Sequence, residues 1–130
     1  MVEIFSMEEI ESVLKESDGN KCPGPDGYNF AFFMKFWYLM KHEVKSFFDQ
    51  FYGNETFPRS LLSYFVTLIP KVKDPVCLNE FRPISLLGSL YKWISKVLAK
   101  RLLKVMSSVI SIAQSAFLKG RNFGWGSDVE

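Results

Sequence analysis

The sequence predicts an α+β chain, mostly helical with one small antiparallel β-hairpin, and three observations carry that prediction. Apolar residues recur at helical spacing from Asn29 to Tyr52 and again beyond Gly88. Between those stretches lie two runs rich in β-branched and aromatic residues, Tyr64-Phe65-Val66-Thr67-Leu68-Ile69 and Phe81-Arg82-Pro83-Ile84-Ser85-Leu86-Leu87, joined by a polar connection through Asp74 and Pro75. Apolar residues make up 48% of the 130 and aromatics 16%, enough to bury a core, which argues against disorder over most of the length.

The first element is a helix from about Met7 to Lys15. Ser6 caps it with Glu9 three residues on, Phe5 is placed to staple onto Ile10, and Ile10, Val13 and Leu14 make one apolar stripe. Gly19 is its expected stop. The stretch Lys21 to Gly27 carries two prolines and two glycines in seven residues, so it is a loop. By residue type it reads as a connector whose Asp26 caps a helix starting near Tyr28.

The next stretch, Asn29 to Tyr52, forms one helix or two, ended by Gly53. Phe30, Phe33, Trp37, Met40, Val44, Phe47, Phe48 and Phe51 line its apolar stripe. Such a stripe is expected in the core rather than as a base-stacking platform. His42 is expected at the surface. Pro58 to Leu62 turns into the hairpin, a β element of two or three strands whose Pro70 and Pro83 assign it to an edge. Beyond Gly88, Ser89 is the expected cap of a helix reaching about Met106, with Leu90, Ile94, Val97, Leu98, Leu102 and Val105 on its buried face.

Charge is sorted along the chain. Met1 to Glu80 holds eight basic and twelve acidic residues, whereas Phe81 to Ser127 holds eight basic and no acidic ones. A segment of that balance attracts polyanions, nucleic acid or a triphosphate among them. Lys92, Lys96, Lys100 and Lys104 recur every fourth residue with Arg101 adjacent, a row whose members repel by a few tenths of a kcal/mol per pair, roughly, unless a phosphate backbone relieves them. The same row also suits solubility alone. At one end of the hairpin, Lys71 and Arg82 put two cations where a polyphosphate would sit.

Cys22 and Cys77 are too few and too far apart for a zinc knuckle or a disulfide framework, and are expected as reduced thiols. Met1 to Ile10 is acidic where a secretory signal is basic, and no apolar run reaches the ~18 residues that span a bilayer, so an intracellular chain, nuclear or cytoplasmic and without a membrane partner, is expected.

Leu68-Ile69-Pro70-Lys71 followed by Phe81 to Leu87 resembles the fingers segment of reverse transcriptases from LINE-type, non-LTR retrotransposons. Lys21-Cys22-Pro23-Gly24-Pro25-Asp26-Gly27 is similar to the family's K-x-P-G-P-D-G signature, and Phe36-Trp37 to the aromatic pair after it. Tyr91-Lys92, Lys96-Val97-Leu98-Ala99 and Arg101-Leu102 resemble the helix after the hairpin. Gln114-Ser115-Ala116-Phe117 with Gly120-Arg121 resembles the leading edge of the palm. The resemblance divides the chain into a capped helix over 1–20, a partial reverse transcriptase domain over 21–121 and a divergent glycine-rich tail over 122–130.

The resemblance implies the fingers portion of a right-hand RNA-directed DNA polymerase. Its partners would be an RNA template, a DNA primer, an incoming dNTP and the palm and thumb of a parent polyprotein. Lys71 and Arg82 would hold the triphosphate, the first as a point charge and the second through a bidentate fork. Lys21, Lys92, Lys96, Lys100, Arg101, Lys104 and Arg121 would contact template or other nucleic acid. The family's Mg2+ is held by palm carboxylates, and this sequence shows no match to its paired aspartates, so no catalytic or metal residue is expected here and the chain alone should be inactive. An alternative is a non-catalytic, retroelement-derived nucleic-acid binder using the lysine row. A third is a relic that folds poorly because its apolar surface lacks a cover.

Overall fold

The computed structural model describes residues 4–109. Four helices and one two-stranded antiparallel sheet follow in the order α1 (Met7–Lys15), α2 (Phe30–Lys35), α3 (Trp37–Asn54), β1 (Tyr64–Pro70), β2 (Phe81–Leu87) and α4 (Ser89–Val109). This is the α+β class expected. Short 3₁₀ turns, Arg59–Leu62 and Leu78–Glu80, lead into the two strands. The chain divides into two compact units, Met1–Val97 and Leu98–Glu130.

Local chemistry sets most of the boundaries. Ser6 Oγ accepts the Glu9 amide at 3.2 Å and starts α1, whose last turn ends at Lys15, ahead of Gly19. Asn29 Oδ1 accepts the Phe32 amide at 3.1 Å, so Asn29 rather than Asp26 caps the helix after the loop, and that helix begins at Phe30. The aromatic stretch forms two helices, because Phe36 leaves helical geometry between α2 and α3. Nor does Gly53 end α3. The helix continues to Asn54 and closes on Glu55 in the left-handed region at φ 54°, whose amide donates to Phe51 O at 2.8 Å.

The core of the first unit gathers Phe5, Ile10, Val13 and Leu14 from the α1 region, Phe30 and Phe33 from α2, Val44 and Phe48 from α3, and Trp93, Ile94 and Val97 from α4. Trp93 is its hub. The indole is fully buried, its ring centroid lies 5.5–6.0 Å from those of Phe33, Trp37, Phe30 and Phe48, and its N–H donates to Ile10 O at 3.0 Å. Phe5 meets Phe48 edge-on at 5.3 Å. These pairs interlock in tilted and T-shaped geometry, as aromatic quadrupoles favour.

The buried face predicted for α4 is only half right. Ile94 and Val97 are buried, but Leu98, Leu102 and Val105 belong to the second unit and are 41%, 57% and 51% exposed. Trp93, absent from that prediction, fills the largest fully buried position. No helix among the described residues is long and apolar enough to cross a membrane.

Candidate nucleotide and nucleic-acid interface

The hairpin is a projecting ribbon. Its register pairs Tyr64 with Leu87 and runs through Ile69 opposite Arg82 to Pro70 opposite Phe81. The Lys71 amide then donates to Glu80 O at 2.7 Å and extends the ladder by one residue. Directly opposed residues share a face, so Ile69 and Arg82 stand on one side, while Lys71 follows β1 in a bend and Glu80 closes a 3₁₀ turn. Lys71 and Arg82 therefore both lie at the end of the ribbon beside the connection.

Both cations are exposed. Lys71 Nζ donates to Asn79 O at 2.9 Å, an exposed bond to a neutral carbonyl that an anionic ligand can replace. Glu80 is occupied elsewhere. Its carboxylate accepts the Val76 amide and, at 3.2 Å, the Cys77 amide, and these bonds hold its carboxyl below the usual value. Together they close the 3₁₀ turn Leu78–Glu80 into a capping box and shape the connection that presents Lys71. The ribbon itself is apolar and uncovered, with Tyr64, Phe65, Val66, Leu68, Ile69 and Ile84 all exposed.

A second group of cations lies where the Lys21–Gly27 loop meets α4. Lys92 Nζ donates to Cys22 O at 3.1 Å. Lys96 Nζ donates to Ser17 Oγ at 2.7 Å and lies 4.6 Å from the Phe30 ring centroid. Partial burial lowers the Lys96 pKa, and the nearby charges of Lys21 and Lys92 lower it further, against an opposing pull from Asp18. Lys21, Lys92 and Lys96 thus share one electrostatic neighbourhood. Lys96 turns inward within it, while Lys21 stays exposed.

The rest of the predicted basic row divides between units. Lys100, Arg101 and Lys104 follow on α4 in the second unit, with Lys104 exposed. Arg121 lies outside the described residues, as do the Gln114–Arg121 segment and the tail after it. His42 is exposed, as expected. Among the described residues no group of three or more His, Cys, Asp or Glu side chains comes together.

Sequence reasoning missed what holds these pieces in place. Asp26 reaches 63 residues along the chain, where its Oδ2 accepts the Ser89 amide at 2.7 Å. Ser89 Oγ in turn donates to Tyr28 O at 2.5 Å, so the serine expected to cap α4 is spent on the loop, and Asp26 supplies the carboxylate at the helix start. Ser17, which anchors Lys96 and donates to Val13 O at 2.7 Å, was equally invisible. Trp93 could have been found, because it lies four residues before Val97 on the same helical stripe.

Over 117 residues, 90% of this chain, the sequence is 30% identical to the Transposon TX1 uncharacterized 149 kDa protein of Xenopus laevis. The chain is related to a transposon protein. It spans 9% of that relative's length. No protein-family model matches this transposon-related chain.

Proposed function

We propose that this transposon-related chain is the fingers and leading palm edge of a LINE-type reverse transcriptase, and that its hairpin holds the incoming dNTP in RNA-directed DNA synthesis. The observation that carries the reading is the position of Lys71 and Arg82, both exposed, at the connection end of one ribbon. At that end an ammonium and a guanidinium can engage different phosphates of one triphosphate. Arg82 can also stabilise charge that develops as the leaving group departs. The motif matches from Lys21 to Arg101 and the similarity to a transposon protein support the same reading.

The family's Mg2+ does not fit the described residues, among which no carboxylate cluster is assembled. On this reading the catalytic carboxylates belong to the palm of the parent enzyme, which would also cover the apolar ribbon. In a complete polymerase carrying this segment, Lys71→Ala and Arg82→Ala should raise the KM for dNTP and lower kcat while leaving template affinity nearly unchanged. Equal losses in nucleotide use and template binding would refute the assignment.

The shared neighbourhood of Lys21, Lys92 and Lys96 supports a second reading, a non-catalytic nucleic-acid-binding module. It requires the isolated chain to bind single-stranded RNA in a salt-dependent way. Absence of such binding at low salt would remove it.

A further inference from the structure

The Pro23-Gly24-Pro25-Asp26-Gly27 segment grips one short stretch of chain, the junction where β2 passes into α4. Gly24 is buried so closely against it that a Cβ there would stand 2.4 Å from the carbonyl carbon and oxygen of Leu87 and 2.5 Å from the Gly88 nitrogen. A Cβ on Gly88 would in turn meet Asp26 Oδ2 at 3.0 Å. Asp26 accepts the Ser89 amide, Ser89 Oγ donates to Tyr28 O, and Lys92 Nζ donates to Cys22 O. Four points between Cys22 and Tyr28 are thus fastened to three consecutive residues, Leu87 to Ser89, and to a side chain one turn later. The hairpin leaves the body of the first unit through this junction.

We infer that the Pro-Gly-Pro-Asp-Gly loop is the anchor that fixes the direction of the hairpin, with Asp26 as its positioning residue. Asp26 Oδ2 is spent on the Ser89 amide. It acts through the Ser89 amide, which locks the first turn of α4 and with it the exit of β2. The loop also carries Lys21 and Cys22, so the anchor ties the Lys21–Lys92 neighbourhood to the ribbon bearing Lys71 and Arg82. The second consequence, a correctly aimed pair of cations, rests on the dNTP-holding reading above. The first does not.

Spin labels on the natural Cys77 in the hairpin connection and on a thiol introduced by Glu43→Cys in α3, with Cys22→Ser removing the other cysteine, report the hairpin's direction in the full chain without any nucleotide. All three positions are exposed. Double electron–electron resonance should give one narrow distance population for the parent protein and for Asp26→Asn, whose amide oxygen can still accept from Ser89. Asp26→Ala should broaden that population at least about twofold, since the locking acceptor is gone. Should Asp26→Ala fail to fold by circular dichroism, Asp26→Glu decides, because its longer side chain displaces the carboxylate from its place on the Ser89 amide and should shift the mean distance. Unchanged distances in Asp26→Ala or Asp26→Glu, equal broadening in Asp26→Asn, or a broad parent distribution would each overturn the anchor.

In a complete polymerase carrying the segment, Asp26→Ala should raise the KM for dNTP on the order of tenfold, with rescue by Asp26→Asn. Distances that respond while the KM does not would uphold the anchor and refute the dNTP reading.

Discussion

Replacing Gly24 by alanine tests the packing of the loop on the hairpin junction most directly. The added Cβ would lie 2.4 Å from Leu87 C and O, all of it backbone that cannot rotate away. Carbon contacts relax only near ~3.5 Å, so the loop and the junction must separate by about 1 Å. That movement would stretch the 2.7 Å bond from Ser89 to Asp26 beyond hydrogen-bonding range and strain the 3.1 Å bond from Lys92 to Cys22. Overpacking of this kind costs ~1–3 kcal/mol and each weakened hydrogen bond about 1 more, so a loss of about 3 kcal/mol is expected. For a chain of this size the loss corresponds to a fall in Tm of roughly 10 °C by far-UV circular dichroism. Gly53→Ala supplies the internal control. It lies in α3 with nothing within 4 Å of the added Cβ, and should gain ~0.5–1 kcal/mol from helix propensity. A Gly24→Ala midpoint within about 2 °C of the parent protein would refute the reasoning.

Trp93→Ala should cost about 4 kcal/mol in denaturant unfolding, from the emptied hub of the core and the partner lost by Ile10 O; a cost below about 2 would mean the core collapses around the gap. Glu80 has its pKa lowered from 4.5, so its hold on the Val76 and Cys77 amides is complete above that value and is lost as pH falls through the lowered one. Amide NMR signals of Val76 and Cys77 should therefore titrate with a midpoint below 4.5, and a midpoint at or above 4.5 would contradict the capping geometry. If the isolated chain binds single-stranded RNA, Lys21→Gln and Lys92→Gln should each reduce the slope of log affinity against log salt by about 0.7. Lys96→Gln should change it less, because that ammonium is already spent on Ser17 and the Phe30 ring; an equal or larger change would place Lys96 on the nucleic acid.

What the residues determined unaided is the sequence of local events. Ser6 as a cap, the apolar stripe of Ile10, Val13 and Leu14, the loop chemistry of Lys21 to Gly27 and both strands of the hairpin were legible, because periodicity, capping and turn preference act between residues a few positions apart. The position of Lys71 and Arg82 beside the connection, at one end of the ribbon, was legible for the same reason. Tertiary structure decided what those segments touch. It took Asp26 away from the helix beside it and gave it to Ser89, 63 residues on; it made Trp93 the hub of the core; and it turned Lys96 inward from a row that its four-residue spacing assigned to one face. It also left the ribbon from Tyr64 to Ile69 uncovered, although its composition reads as a strand fit for burial. Helical or strand spacing fixes which side chains share a face. Which face is buried, and which polar group finds a partner, depends on packing between segments far apart in the chain, where desolvation and hydrogen-bond satisfaction decide and no local pattern records the outcome.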